Sequence, residues 1–211
     1  MNTFNTPGPV GVEIDVLCGN VSVAASDRGD TVVEVLPTDG TKKADVRAAE
    51  RTRVEMVGGV VRVTMPKDWR TYTPFGGNAS IEVSIQVPTG SRVKAQAGVG
   101  NIRGAGGLGE CELELALGDI VVERPLGSVS AKNCKGDIRI GEAVRGAMRL
   151  QTSMGDLEIG IRPGSAVQVE TTSQNGSARS AMGPVATGPD TVHVFAQTAL
   201  GNVVIRHTAA A

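Results

Sequence analysis

Three aspartates at matching positions are the residues of this chain best placed for chemistry. Asp119, Asp137 and Asp156 each follow a glycine, and they are separated by 18 and 19 residues. Carboxylates stacked in this way would repel one another, and a bound cation would relieve the repulsion. Alternatively, they suggest the carboxylate cluster of a polysaccharide-acting enzyme, in which one carboxyl group acts as acid and another as base or nucleophile. A purely structural role in a turn is the third interpretation, and it needs no ligand.

The turn interpretation is favoured because glycine followed by Asp or Asn recurs beyond the three aspartates. Glycine accepts a positive φ, and a short polar side chain bonds its own backbone in a turn. Equivalent corners give every carboxylate the same environment, whereas acid–base catalysis needs two unlike ones. We therefore predict no metal site and no catalytic residue here. The structural turn column that we predict consists of Gly100, Asn101, Gly118, Asp119, Gly136, Asp137, Gly155, Asp156, Gly201 and Asn202, with further copies at Gly19-Asn20 and, in degenerate form, at Asn175-Gly176.

The remaining reactive side chains form no recognisable catalytic or cofactor motif. The two histidines, His193 and His207, have no nucleophile motif near them. The glycine-rich segment 100–107 precedes no helix, which a phosphate cradle would need. An odd count of three cysteines at irregular spacing predicts free thiols rather than disulfides or a zinc site. We expect no cofactor.

The elements that position the corners are short strands. Around each corner, apolar residues alternate with polar ones, and they keep the same phase from copy to copy, so that Leu113, Ala131 and Leu150 occupy one position. A repeat of 18 or 19 residues has no room for a crossover helix. The pattern predicts an all-β fold, a parallel and right-handed β-solenoid with two strands and a small third side per coil. Leu108, Leu126 and Val144 mark that third side.

The first part of the chain alternates as strands without the regular repeat. Gly58-Gly59 predicts a hairpin within 53–63, and the segment 45–50 predicts one short helical turn. We expect residues 1–90 to form a partly antiparallel sheet that continues the stack from its first coil, and residues 91–211 to form the repeat solenoid. The two parts are predicted to make one continuous domain.

One segment between these parts is rich in aromatic residues. The loop that follows Pro66 contains Trp69, Arg70, Tyr72 and Phe75, in a chain with only five aromatic residues. Such residues dominate the energetics of protein interfaces, so the loop is a candidate interaction site. The alternative is a flap that covers the flank or end of the solenoid.

Charge and hydropathy narrow the range of partners. A formal net charge of -1 gives no basic footprint, which argues against nucleic acid and anionic lipid. No apolar run reaches the ~20 residues of a membrane-spanning helix, and the N-terminus lacks the features of a signal peptide. We therefore expect no membrane insertion and a cytoplasmic location.

The repeated pattern V-x-[LVA]-x-x-x-x-G-[DN]-[IVL]-x-[IV], with an N-terminal segment 12–23 of the same form, resembles a known family. It is similar to the DUF4097 "putative adhesin" family of bacterial β-solenoid proteins, over residues 4–206. The resemblance implies a β-solenoid fold and no defined activity.

The function that we predict is a non-enzymatic structural or interaction module, such as a scaffold, assembly component or protein-binding surface. Sequence order leaves an uncovered end at the Gly201 coil, and either a protein partner or a second copy would cover it, or bind the aromatic loop. A small-ligand or glycan-binding protein that uses Trp69, Tyr72 and Phe75 is the alternative. A polysaccharide-acting enzyme ranks below both.

Overall fold

The computed structural model describes residues 1–66, 79–181 and 191–208. These residues form the predicted parallel β-solenoid, so the fold class is confirmed. The elements, in chain order, are β1 Asn2–Asn5, β2 Gly11–Ser26, β3 Asp30–Pro37, α1 Lys43–Arg51, β4 Arg53–Val57, β5 Val60–Thr64, β6 Ile81–Pro88, β7 Arg92–Val99, β8 Ile102–Leu108, β9 Cys111–Leu117, β10 Ile120–Pro125, β11 Val129–Lys135, β12 Ile138–Ala143, β13 Gly146–Met154, β14 Leu157–Ile161, β15 Ala166–Asn175, β16 Ala178–Ala181, β17 Thr191–Leu200 and β18 Val203–His207.

Within the described ranges, the solenoid is a stack of eight rungs, each of which contributes one strand to sheet 1 and then one strand to sheet 2. The strand β2 is long enough to supply both parts, with residues 11–18 in sheet 1 and residues 19–26 in sheet 2. In spatial order the rungs are β5/β6, β2, β7/β8, β9/β10, β11/β12, β13/β14, β17/β18 and β15/β16.

The spatial order of the rungs differs from the sequence order at both ends. The first strand pair of the chain, β2, forms the second rung, because β5 and β6 stack on its outer side. The last coil, β17/β18, lies between β13/β14 and β15/β16. The prediction that the Gly201 coil ends the stack is therefore wrong, and the Gly176 coil is the outermost one.

The core is a set of apolar columns that run along the stack between the two sheets. Leu113, Ala131 and Leu150 are aligned in the ladder and at most 2% exposed, as predicted. Gly104 interrupts its column, and the side chain of Leu108 fills the space: a Cβ at Gly104 would lie 2.6 Å from the Leu108 Cδ1 atom. Stacking like residues on like residues lets thin rungs share a continuous core.

The third side of the coil was predicted only in part. Leu108 is buried, but Leu126 is 37% exposed and Val144 is half-buried. The ladder between β8 and β10 shifts register after Val122, so Pro125 is the residue that aligns with Leu108. A bulge that shifts the register moves the next side chains to other faces.

The first rungs are covered by antiparallel and helical elements. The strands β1, β3 and β6 pair antiparallel, and β4 and β5 form the predicted hairpin, with positive φ at Gly58 and Gly59. The predicted helical turn is longer than expected, because α1 spans Lys43–Arg51. Its Asp45 side chain is 3% exposed and accepts hydrogen bonds from the backbone N–H groups of Asp39 and Ser80, which fixes the helix to the start of β6.

Candidate functional site

The corner glycines lie directly above one another between the two sheets. The five predicted copies, from Gly100 to Gly201, have φ between +128° and +150°. A Cβ at Gly118 would lie 1.6 Å from the carbonyl oxygen of Gly100, and a Cβ at Gly136 would lie 1.9 Å from that of Gly118. Glycine is therefore required both by the backbone angle and by the close approach of the neighbouring rung.

The Asp and Asn side chains of the corners form a ladder along the stack. The Oδ1 atom of Asp119 accepts the backbone N–H of Asp137 at 2.9 Å, and Oδ1 of Asp137 accepts that of Asp156 at 2.9 Å. The sequence predicted that these side chains bond their own turn, whereas they bond the next rung. The same contact continues through Asn20, Asn101, Asp156 and Asn202.

This ladder gives every corner carboxylate the same structural task. Asp119, Asp137 and Asp156 each have one oxygen committed to a backbone N–H group, and they occupy equivalent positions on successive rungs. The unlike environments that separate a catalytic acid from a base do not arise from such a repeat. Across residues 1–66, 79–181 and 191–208, no group of three His, Cys, Asp or Glu side chains is arranged to hold a metal ion.

A second ladder, which the sequence pattern did not lead us to predict, runs just inside the corners. Asn133, Thr152 and Thr198 point into the core, and each donates a hydrogen bond to the carbonyl oxygen of the corner glycine on the preceding rung, at 2.7, 3.2 and 3.1 Å. Ser173, which lies on the outermost rung, makes the same bond to the carbonyl oxygen of Gly201 on the rung before it. The sequence signal for this second ladder is a polar residue three positions before the corner glycine in four consecutive copies of the repeat.

The thiols and imidazoles are dispersed. Burial raises the pKa of the Cys111 thiol to about 12, so this group stays protonated and unreactive. Cys134 is exposed, Cys18 is half-buried, and all three cysteines are free thiols. His193 and His207 lie on different strands, β17 and β18. The candidate loop residues Trp69, Arg70, Tyr72 and Phe75 lie outside the described residues.

The outer face of sheet 1 carries several adjoining recesses. Four cavities open on it, with volumes of about 540, 620, 400 and 230 Å³. They share lining residues from one to the next, as Lys132 does for the three largest. Together they form a groove along the stack. The side chains in the middle of this groove are Asp15, Gln96, Glu114, Lys132, Gln151 and Gln197.

The charges on this face are mostly paired along the stack. Glu13 accepts a hydrogen bond from Arg62 at 2.8 Å, and Glu112 accepts one from Lys94 at 3.1 Å. Toward the other end, the Arg149 guanidinium lies 5.5 Å from the centre of the Phe195 ring, which is 37% exposed. The face therefore combines amides, balanced charges and one aromatic ring. Such a surface favours hydrogen bonding and specificity over bulk electrostatic attraction.

Comparison with solved structures places this architecture among known ones. A "putative cell adhesion protein" from Clostridium sporogenes superimposes with a TM-score of 0.57 at 10% sequence identity, and the match covers 98% of each chain. The two proteins share a fold. A "putative adhesin" from Bacteroides fragilis matches with a TM-score of 0.49 at 10% identity, over 97% of this chain and 95% of that one.

A third solved structure, a "putative lipid binding protein" from Parabacteroides distasonis, has a TM-score of 0.38 at 9% identity, over 98% of this chain and 95% of that one. No family model matches the chain, and no curated protein matches it. Among the helices of the described residues, none has the length and apolar character to cross a membrane.

Proposed function

We propose that this chain is a non-enzymatic interaction module that binds a protein partner along the outer face of sheet 1. The observation that carries the proposal is the continuous groove on that face, in which cavities of about 540, 620 and 400 Å³ adjoin one another. A row of joined, open cavities fits an elongated partner better than a single compact ligand. Its amide and paired charged side chains fit the polar character of non-obligate protein interfaces.

The repeat architecture supports this role. Stacked rungs fix the outward side chains of sheet 1 at a spacing of about 4.8 Å without a separate scaffold. The corner residues that first suggested chemistry are used to hold the rungs together. The groove residues, by contrast, have no evident structural task beyond the pairs that they form with one another.

The natural thiol of Cys134 provides a direct test, because it is exposed and lines the largest cavity of the groove. A photoactivatable cross-linker attached there should capture the partner from extracts of the native host. The same linker on Val204→Cys, in a Cys134→Ser background, should not, because Val204 is exposed on the outer face of sheet 2. Equal capture from both positions would contradict the proposal.

The affinity for the captured protein should depend on the groove. Lys132→Glu, which reverses a charge in the groove, should weaken binding by about tenfold or more, as expected for an interface residue. Arg103→Glu makes the same charge change on the outer face of sheet 2 and should leave the affinity unchanged. If the captured protein is chemically altered on incubation, the non-enzymatic part of the proposal is wrong.

A small ligand or glycan is the second candidate, and one observation favours it. Phe195 presents an exposed ring beside a cavity of about 400 Å³, which Arg149 and Glu170 also line. A planar ligand or sugar ring stacked on Phe195 would displace Arg149 from the ring. Binding of a glycan set that is lost in Phe195→Ala but kept in Glu114→Lys, a groove residue outside this cavity, would favour this candidate over a protein partner.

A further inference from the structure

The corner of the outermost rung differs from the inner corners, because an asparagine directly precedes its glycine. Asn175 is aligned with Leu200 on the neighbouring rung, and Gly176 follows it. Asn175 is the one asparagine of the sequence that is followed by glycine. An asparagine side chain is open to attack by the backbone nitrogen of the next residue, and glycine has no side chain that would obstruct this attack.

The backbone N–H of an inner corner glycine is bonded to the next rung. Gly155 donates to the carbonyl oxygen of Leu200 at 2.9 Å, and Gly201 donates to that of Asn175 at 3.1 Å. The same direction of donation places the N–H of Gly176 on the outer side of the last rung, where the described residues supply no acceptor. Gly176 is exposed, so its nitrogen is open to water and to base.

The other reacting groups of this dipeptide are also accessible. The Asn175 side chain is exposed, and no described residue forms a hydrogen bond with it, so its amide is free to approach the backbone. The carbonyl oxygen of the peptide group that joins Asn175 to Gly176 accepts the hydrogen bond from Gly201. Such a bond polarises the peptide group and makes its own N–H more acidic.

We infer that Asn175 is a site of spontaneous deamidation. A base in the solvent removes the N–H proton of Gly176, and the nitrogen attacks the side-chain carbonyl carbon of Asn175. The new C–N bond closes a cyclic imide, and the side-chain nitrogen takes up protons from the solvent and leaves as ammonia. Water then adds to either carbonyl group of the imide, and the ring opens to aspartate or isoaspartate. The net reaction consumes water and releases ammonia, with no oxidation or reduction.

Isoaspartate at this position alters the end of the stack. Its main chain passes through the former side chain and is longer by a methylene group, so the residues that follow are displaced. Gly176 packs so closely on the neighbouring rung that a Cβ would lie 1.9 Å from the carbonyl oxygen of Gly201. The N–H of Ser177 donates to Oδ1 of Asn202 at 3.1 Å. Displacement breaks these contacts, so β16 should detach from β18.

The groove of sheet 1 does not depend on this change. The strand β15 contributes the residues of the outermost rung that line the groove, and they precede Asn175 in the chain. Their pairing with β17 is therefore kept. The inference stands apart from the proposed function and fails or succeeds separately.

Incubation of the folded chain at mildly alkaline pH, followed by mass spectrometry of its peptides, tests the inference. The peptide with Asn175 should gain about 1 Da, as the amide becomes a carboxyl group. Leu200→Asn is the matched control, because it places the same dipeptide on an inner rung where the N–H of Gly201 is bonded. The substituted position should react more slowly than Asn175 by about tenfold or more, since its rung must open first.

Two further measurements connect the reaction to the stack. In urea, which separates the rungs, Asn175 and the substituted position of Leu200→Asn should react at similar rates. Met154→Asn, directly before Gly155, is a second inner control, and circular dichroism checks that each variant is folded. After incubation, amides of β16 should exchange hydrogen faster than before, and Asn175→Gln should suppress this change because its longer side chain closes a ring more slowly.

Three results would overturn the inference. The first is an Asn175 peptide of unchanged mass while other asparagines of the folded chain react. The second is reaction of the inner controls as fast as Asn175 in the folded chain. The third is a difference between Asn175 and the inner controls that persists in urea, because the unbonded N–H of Gly176 would then not be its cause.

Discussion

At the scale of single residues, the corner glycines carry the strictest requirement in the chain. Gly136 combines a φ of +133° with a neighbouring carbonyl oxygen that would lie 1.9 Å from any Cβ. Either feature disfavours other residues, and together they exclude them. The Gly-Asp dipeptide stands between the strands of the two sheets, and the requirement for the glycine comes partly from the neighbouring rung.

The substitution Gly136→Ala should reduce the free energy of unfolding by more than about 2 kcal/mol, because it adds a backbone clash to the strain of a positive φ. Gly164→Ala is the matched control: its φ is +90°, but no atom lies within 4 Å of the new Cβ. Urea denaturation of both variants separates the clash from the strain. If the two variants lose the same stability, the close contact between rungs is not the reason for the glycine.

The thiols of Cys134 and Cys111 should differ sharply in reactivity. Cys134 is exposed and should react with a thiol reagent in the native state, whereas Cys111 is 3% exposed and should react only after unfolding. Labelling with and without denaturant, followed by mass spectrometry of the peptides, checks this. Fast native labelling of Cys111 would show that its rung opens readily.

Burial of Cys111 also gives a dependence of stability on pH. Its pKa is raised from 9.0 to about 12 in the folded chain. Between these values the unfolded chain loses the proton and the folded chain keeps it, so stability falls as the pH rises. Cys111→Val should reduce this fall, measured by urea denaturation below pH 9 and between pH 9 and about 12. Cys134→Ser should leave the fall in stability with rising pH unchanged.

At the scale of elements, the strands could be predicted from the sequence, and their order could not. Alternation placed Leu113, Ala131 and Leu150 in one buried column, which the structure confirms. The predicted order of the rungs was wrong because the apolar positions of one coil match those of any other coil equally well. The repeat pattern therefore does not specify which coils are neighbours. Val194, for example, stacks on Met148 as readily as the next coil in sequence would have done.

A signal for the true order was present in the Gly176 coil. Its inward residue Thr171 is half-buried and polar, whereas the inner rungs place Ala196 and Leu150 at the same position. Polar inward residues suit an end rung, because they limit the apolar area at an open edge and discourage further stacking. The candidate site was harder to predict, since the groove of sheet 1 arises from side chains that are far apart in sequence and show no motif.

Hydrogen exchange should show the order of the last two rungs. β17 pairs with strands on both of its edges, whereas the one partner of β15 among the described residues is β17. Backbone amides of β17 should therefore exchange more slowly than those of β15, by at least about tenfold, although β17 is closer to the C-terminus. The strand β13, which is paired on both edges, provides the reference. Faster exchange in β17 than in β15 would contradict this order.

At the scale of the whole molecule, the interleaved ends connect the fold to its proposed role. The rung β5/β6 stacks outside the first coil, β2, and the rung β15/β16 stacks outside the last coil, β17/β18. Neither the first nor the last coil of the chain therefore lies at an end of the stack. The groove of sheet 1 crosses these interleaved ends, from Arg62 on β5 to Thr172 on β15. A rigid surface with a regular spacing loses little conformational entropy when it binds a partner.

The interleaved stack is tested most directly by disulfide trapping on the outer face of sheet 1. Gln151 is aligned with Gln197 on the next rung, while Thr172 lies one rung farther, about 9.6 Å from Gln151. In a background with Cys18 and Cys134 replaced by Ser, the pair Gln151→Cys/Gln197→Cys should form a disulfide in the folded chain. The pair Gln151→Cys/Thr172→Cys should not, because its Cα atoms exceed the ~7 Å limit. A disulfide in the second pair and none in the first would show that the coils stack in sequence order, and would contradict the account.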